Sequence, residues 1–167
     1  MSKIGHLPLP AEPSQFKMSP PFRLELIRKQ QDKIKGAKQS AVLALFYPDH
    51  NNETKLVLIL RKTYKGVHSA QVGFPGGKVE DDDESMVFTA LRETQEEIGV
   101  PMQDIQILKA LTQVYIPPSN FYVHPFIGYM KSKPKFVKEE SEVEALIEVA
   151  LTHFLDENNI VTKTVST

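Results

Sequence analysis

Three glutamates at helical spacing are the residues of this chain best suited to do chemistry. Glu93, Glu96 and Glu97 stand at i, i+3 and i+4, so a helix over residues 85–98 would bring them to one face. Carboxylates that close together repel one another unless a positive charge lies between them. Hard divalent cations such as Mg²⁺ take oxygen ligands and pair with substrate phosphates. The spacing therefore predicts a site for magnesium, or manganese, and the alternative is a solvated acidic face.

A glycine turn and an acidic loop precede this helix. The turn is Gly76-Gly77, and residues 80–84 are five consecutive acids. Such a run lacks the alternating ligands and the mid-loop glycine of an EF-hand, which argues against a calcium loop.

The turn, the loop and the helix together resemble the Nudix box, the signature of the Nudix family. The matching residues are Gly77, Arg92, Glu93, Glu96, Glu97, Gly99 and Val100. Thr94 departs from the pattern, because an apolar residue is usual there. The interval from Gly77 to Arg92 is one residue longer than in the pattern, so the acid of the box is either Asp83 or Glu84.

The resemblance implies metal-dependent hydrolysis of a nucleoside diphosphate linked to another group. The ligands it implies are the main-chain carbonyl of Gly76 and the carboxylates of Glu93, Glu96 and Glu97. A bound Mg²⁺ would neutralise pyrophosphate oxygens and orient an attacking water.

The resemblance also implies roles for residues beside the ligands. Arg92 would tie down the carboxylates by bidentate pairing with Asp83, Glu84 or Glu93, whereas the alternative is a surface ion pair. In this family the general base often comes from a late loop. The candidates in such a segment are Glu139, Glu140, Glu142 and Glu144, of which Glu142 is our choice.

The stretch upstream of the box is similar to the extended signature of coenzyme A pyrophosphatases. The matching residues are Arg61, His68, Gln71, Val72 and Phe74-Pro75-Gly76-Gly77. Residues 89–93 and the longer spacing after Asp83 also match that subgroup, which favours Asp83 as the box acid. Gly66 and Ala70 replace the second arginine and the glycine of the signature, and this leaves recognition of the 3′-phosphate open.

Candidate substrate-binding residues follow from their charge or hydrogen-bonding capacity. They are Arg61, Lys65, His68 and Lys78. Lys65 is a candidate to replace the charge of the missing arginine. The alternative for each of the cations is that it is a surface residue without a role in binding. The alternative for His68 is that it stabilises the conformation of its own loop.

The leading functional hypothesis is hydrolysis of coenzyme A to 3′,5′-ADP and 4′-phosphopantetheine. The first alternative is a Nudix hydrolase of ADP-ribose or of an oxidised nucleoside triphosphate. The second is a non-catalytic Nudix-like domain that binds nucleotides or a partner protein. Such domains usually lose box carboxylates, whereas this chain keeps Glu93, Glu96 and Glu97.

Hydrophobic periodicity and the positions of glycine and proline predict the helices and strands that must hold this site. Residues 1–21 carry five prolines and read as an extended arm, followed by the Nudix domain over 22–167. A helix is predicted over 22–34, and the strands are predicted at 41–47, 56–60, 72–74, 105–114 and 121–129. Residues 142–154 mix strand and helix signals. The scarcity of helices and the lack of a βαβ rhythm predict an α+β protein.

The resemblance implies the Nudix α/β/α sandwich with a mixed sheet. That fold usually ends in a further helix on the sheet. Residues 159–165 alternate like a strand instead, so the final helix is expected to be missing, either because the chain is truncated or because the fold closes differently.

Composition narrows the class of protein. The chain has 167 residues, of which 41% are apolar and 25% charged, as in one soluble globular domain. The lack of cysteine excludes disulfides and thiol catalysis and is compatible with the cytoplasm. A net charge of −1 gives no global attraction to nucleic acid, and no apolar run is long enough for a membrane span. We expect a small nucleotide as the partner and leave open a homodimer.

Overall fold

The computed structural model describes residues 2–17, 19–20, 22–63 and 70–162. In these residues one mixed sheet carries the site. Its strands are β1 (Lys38–Pro48), β2 (Thr54–Arg61), β3 (Val72–Gly73), β4 (Gly76–Lys78), β5 (Gln106–Ala110), β6 (Val114–Ile116), β7 (Phe121–Tyr129) and β8 (Val143–Ala150). The helices are α1 (Ser2–His6), α2 (Ala11–Gln15), α3 (Phe22–Lys29), α4 (Gln31–Ile34), α5 (Met86–Ile98) and α6 (Leu151–Leu155), with 3-10 turns at Met102–Asp104 and Glu157–Asn159. No helix of the described part is long and apolar enough to cross a membrane.

The sheet runs in the order β3-β2-β1-β7-β5, with β8 added against β2 and β6 against β7. β1 and β7 are parallel from the pair Lys38–Phe121 to the pair Phe46–Tyr129. The other pairings are antiparallel. A mixed sheet with helices confirms the predicted α+β class and the Nudix-like sandwich.

β1 pairs with two strands on the same edge. Residues 46–48 pair with β2, and residues 40–42 pair with β4. The glycine turn is thereby fixed within the sheet opposite Val42. Gly76 has a φ of +143°, and an added Cβ would overlap the carbonyl of Ala41 and the Cα of Val42. Only glycine fits this position, because it lacks the Cβ and tolerates positive φ.

The core lies between the sheet and α5. Alternate residues of β1 and β2 are fully buried, as period-2 alternation requires. The core residues from these elements are Leu43, Leu45, Val57, Ile59, Ala90 and Ile98. This packing sets the distance between α5 and the glycine turn.

Most predicted elements are confirmed, although two of them divide and one segment consists of a strand followed by a helix. The predicted helix over 22–34 divides at Gln30 into α3 and α4. The predicted strand over 105–114 divides into β5 and the start of β6. The mixed signals of 142–154 are those of β8 followed by α6.

The arm predicted as extended contains two helical turns instead, α1 and α2. The sheet holds them, since Lys109 Nζ donates to the carbonyls of Ile4, Gly5 and Leu7. Gln15 Nε2 donates to the carbonyl of Thr112 at 2.9 Å. A cation at the last carbonyls of a helix stabilises it.

The prediction of a strand at 159–165 was wrong for residues 159–162, which the structure describes. Asn159 ends a 3-10 turn whose start is capped by Asp156, and residues 160–162 form no strand. Residues 163–165 lie outside the described residues. Ile160 and Val161 are exposed, and no strand of the described part pairs with them.

Candidate active site

The helix that carries the glutamates begins and ends at capping residues. The Ser85 hydroxyl accepts from the main-chain N–H of Phe88 at 3.1 Å, as an N-cap does. Gly99 adopts a left-handed φ of 71° and donates its N–H to the Gln95 carbonyl, which closes the C-terminus. The prediction of a helix over 85–98 is therefore confirmed.

One row of this helix faces the core. Ala90, Thr94 and Glu97 follow at helical spacing and are 0%, 0% and 1% exposed. The hydroxyl of Thr94 donates to the Ala90 carbonyl at 2.6 Å, so the polar departure from the box pattern is satisfied within the helix. The same row carries Glu97 into the interior beside the glycine turn.

Glu97 is a buried carboxylate between Gly76 and Arg61. Its Oε2 accepts from the main-chain N–H of Gly76 at 2.8 Å. Its Oε1 lies 3.3 Å from Arg61 Nη2 but accepts no hydrogen bond. Burial raises the pKa of Glu97 to about 7, although Arg61 and the Gly76 N–H act in the opposite direction.

Arg92 holds the acid of the box. Its Nε and Nη2 donate to the two oxygens of Asp83 at 2.8 and 2.9 Å. Thr89 Oγ1 and the Glu80 N–H also donate to Asp83. These hydrogen bonds, those of Arg92 above all, hold the pKa of Asp83 well below its usual range.

This pair is not a surface ion pair. The side chains of Asp83 and Arg92 are 2% and 15% exposed. Of the two candidate acids, Asp83 therefore makes the bidentate contact that the resemblance implied. The remaining guanidinium nitrogen, Nη1, donates to Glu93 at 3.1 Å and to Glu96 at 2.9 Å.

The three glutamates share a helix face but differ in exposure. Glu93 is 14% exposed and Glu96 is 55% exposed. Burial raises the pKa of Glu93, and pairing with Arg92 offsets part of that rise. An added Cβ on Gly77 would overlap the Glu93 carboxylate, so a glycine is needed for this close approach.

The donors fit a hard divalent cation, although they do not converge on one point. No three carboxylate or imidazole groups of the described residues form a ready ligand set. Arg92 pairs with Glu93 and Glu96, whereas Glu97 lies beside Arg61. The positive charges that stabilise the acidic face are thus two guanidinium groups. The buried Oε1 of Glu97, which accepts no hydrogen bond, and the nearby Gly76 carbonyl are all-oxygen donors of the kind Mg²⁺ takes.

A loop before β8 closes over the end of α5. The N–H of Glu139 donates to the Glu97 carbonyl at 2.9 Å, and the N–H of Val137 donates to the Ile98 carbonyl at 3.0 Å. Glu142 follows this loop and is exposed. Its charge helps raise the pKa of Glu93 and of Glu97, so its carboxylate lies within electrostatic reach of the site.

A cleft of about 470 Å³ opens beside the glycine turn. Two predicted substrate-binding residues, Arg61 and Lys78, line it together with the glycine turn itself. The apolar part of its lining is Val42, Val72, Phe74, Val114, Ile116, Phe121, Val123 and Pro125. Lys65 and His68 lie outside the described residues.

Sequence reasoning missed the contact of Arg61 with Gly76 and Glu97. The partners are 15 and 36 positions away along the chain, so local spacing gives no sign of it. The alternation of β2 is the signal that could have found it, because Arg61 follows the buried residues Val57 and Ile59 at the same two-residue spacing.

Comparison with known proteins identifies the family. The NUDIX domain model matches residues 37–163. The mitochondrial Nudix hydrolase 15 of Arabidopsis thaliana is 32% identical over 135 residues, which cover 80% of this chain and 47% of that protein. The uncharacterised Nudix hydrolase NudL of Yersinia pestis (strain Pestoides F) is 35% identical over 99 residues, which cover 59% of this chain and 49% of that protein.

The chain thus spans about half the length of the curated relatives it matches. Among solved structures, the NUDIX domain of Shewanella oneidensis NrtR in complex with ADP ribose has a TM-score of 0.57 and 21% identity. That match covers 71% of this chain and 76% of the other and supports the fold. The box residues, the mixed sheet and the match over residues 37–163 show that this chain belongs to the Nudix family.

Proposed function

We propose that this protein hydrolyses a pyrophosphate bond in a nucleoside diphosphate linked to another group. The observation that carries the proposal is the placement of Glu93 and Glu97 against the glycine turn, with a buried Glu97 oxygen that accepts no hydrogen bond. A buried carboxylate without full pairing is costly, and such strain is typical of functional sites.

Nudix hydrolases generally use divalent ions, and this chain has donors for one. Mg²⁺ or Mn²⁺ would be held by the carbonyl of Gly76 and the carboxylates of Glu93, Glu96 and Glu97. A bound ion supplies charge neutralisation at the pyrophosphate and a more acidic water. Asp83 and Arg92 act on this site only through the glutamates, by fixing where their carboxylates point.

Glu142 is our proposed general base. It stands on the loop that covers the end of α5 and affects the pKa of both Glu93 and Glu97. A carboxylate at that place can accept a proton from the attacking water.

For the substrate we propose coenzyme A, cleaved to 3′,5′-ADP and 4′-phosphopantetheine. The similarity upstream of the box supports this choice, as does the mixed character of the cleft. Arg61 and Lys78 offer charge for phosphates, and the apolar lining suits a chain with aliphatic segments. Lys65 and His68 stay proposed substrate contacts on sequence grounds.

The test is incubation of purified protein with coenzyme A, with and without Mg²⁺, followed by chromatography of the products. We expect 3′,5′-ADP and 4′-phosphopantetheine to form only with the metal. Dephospho-coenzyme A, treated in parallel, reports on recognition of the 3′-phosphate. Intact coenzyme A beside cleavage of another dinucleotide would refute the choice of substrate but leave the reaction class in place.

ADP-ribose is the second candidate. The lack of the second signature arginine at Gly66 favours it, because a 3′-phosphate would lose one cationic partner. The NrtR domain, whose fold this chain shares, was solved with ADP ribose. Faster cleavage of ADP-ribose than of coenzyme A at equal concentration would support this reading.

The cellular location, the partner and the domain boundary are also proposed from the sequence. We place the protein in the cytoplasm with a nucleotide as its partner. The boundary between arm and domain at residue 22 stays a prediction, as does a homodimer.

A further inference from the structure

Arg61 is the last residue of β2, and its side chain points toward the site. Val57 and Ile59 precede it on the same side of the strand and are fully buried in the core. The pairing of β2 with β8 shifts register between Leu60 and Arg61. Irregularities of this kind re-aim a side chain and are frequent beside active sites. The side chain of Arg61 is 28% exposed, so it reaches both the interior and the cleft.

The guanidinium of Arg61 bridges two oxygens of the site. Its Nη2 donates to the Gly76 carbonyl and lies 3.3 Å from Glu97 Oε1. These oxygens belong to two of the four proposed metal ligands. One nitrogen of Arg61 therefore lies against two of the oxygens that are proposed to bind the ion.

The charge of Arg61 also explains how Glu97 is tolerated in the interior. Glu97 is 1% exposed, and a buried carboxylate without a partner is strongly unfavourable. The other arginine of the site is already engaged, because Arg92 contacts Asp83, Glu93 and Glu96. Among the described ion pairs, Arg61 is the cation paired with Glu97.

We propose that Arg61 is the internal counter-cation of Glu97, and that a divalent ion binds between Gly76 and Glu97 only by displacing it. The inference rests on the proposed metal-dependent function. Arg61 also lines the cleft, so its displaced guanidinium has a place to go. There it would face the phosphates of a substrate, which is the role that the sequence predicted for it.

The experiment measures metal binding directly, without substrate. Wild type and Arg61→Gln are stripped with a chelator and titrated with Mn²⁺ or Mg²⁺ alone by calorimetry, and melting temperatures are recorded with and without the ion. Arg61→Gln removes the competing cation, so we expect binding on the order of tenfold tighter than in wild type. The stripped variant should melt at a lower temperature than wild type, because Glu97 loses its partner. Added metal should then raise its melting temperature more than that of wild type.

Two further variants keep the test decisive. Lys62→Gln removes the same charge from the neighbouring position and should change metal affinity by less than about twofold. Arg61→Lys keeps the charge with fewer donors and should bind metal with intermediate affinity, which also serves if Arg61→Gln cannot fold without metal. Equal or weaker metal binding by Arg61→Gln would overturn the inference, because a purely structural arginine predicts that. No binding by wild type would instead refute the metal site, and with it the proposed function.

Discussion

Replacement of Glu97 by glutamine separates the effect of the buried charge on folding stability from its role in hydrolysis. The side chain is 1% exposed, and burial raises its pKa from 4.5 to about 7. At ~1.4 kcal/mol per pKa unit, this shift corresponds to a destabilisation of roughly 3 kcal/mol when the carboxylate is ionised. Glutamine keeps the shape and cannot ionise. Glu97→Gln should therefore be more stable than wild type at alkaline pH, in the presence of a chelator.

The sign of the pH dependence follows from the two pKa values. Unfolded chains lose the Glu97 proton near pH 4.5, whereas the folded protein keeps it to about pH 7. Between these values the folded state binds more protons, so wild-type stability falls as pH rises through that window. The contribution of Glu97 is near zero below pH 4.5 and reaches its full cost above pH 7. The gain from the variant should grow over the same window.

Urea unfolding at pH 5 and at pH 8, with a chelator, measures the effect. We expect the variant to be more stable by about 1–3 kcal/mol at pH 8 and by much less at pH 5. Added Mg²⁺ should stabilise wild type and leave the variant nearly unchanged, and hydrolysis should fall by about 100-fold or more. Glu96→Gln, at a position 55% exposed, is the control and should show no such growth with pH. A variant that is less stable at pH 8, or equally shifted at both values, would refute the reasoning.

Three further substitutions test the surrounding contacts. Asp83→Asn removes the bidentate partner of Arg92 and should lower the melting temperature by about 5 °C and turnover by about tenfold, measured by calorimetry and a steady-state assay. Gly77→Ala should leave folding almost intact but weaken metal binding by about tenfold, because its Cβ displaces the flexible Glu93 carboxylate. Glu142→Gln should lower kcat by about 100-fold with unchanged metal affinity, as loss of a general base does.

Each of these has a matched control. Glu84→Gln tests the other candidate acid of the box and should leave stability unchanged. Gly76→Ala should fail to fold, because its Cβ meets backbone atoms instead of a movable side chain. Glu140→Gln removes a neighbouring charge on the loop of Glu142 and should leave kcat within about twofold. Reversed outcomes for any pair would contradict the role assigned to its first member.

The helix of the site could be predicted closely because its signals are local. Ser85 and Gly99 mark its two ends, and the row of Ala90 and Thr94 marks the side that is buried. The arm could not be predicted, since its conformation depends on Lys109 and Gln15, which bind carbonyls about a hundred positions away. Proline content describes what an isolated segment prefers, whereas tertiary hydrogen bonds decide what it adopts.

The longer interval between Gly77 and Arg92 shows where counting residues fails. With Asp83 as the acid, the extra residue lies after it, in the stretch that leads through the N-cap Ser85 into α5. Asp83 itself is held by the turn before that stretch, because its N–H donates to the Glu80 carbonyl at 3.1 Å and the Glu80 N–H donates back to its Oδ2 at 2.9 Å. This turn and the Thr89 hydroxyl, which donates to the same carboxylate, fix the position of Asp83 independently of the length of the stretch that follows it. Asp83 consequently reaches Arg92 in bidentate geometry despite the altered spacing. What the box must conserve is the position of this carboxylate relative to α5, and the number of residues in the loop matters only through that position.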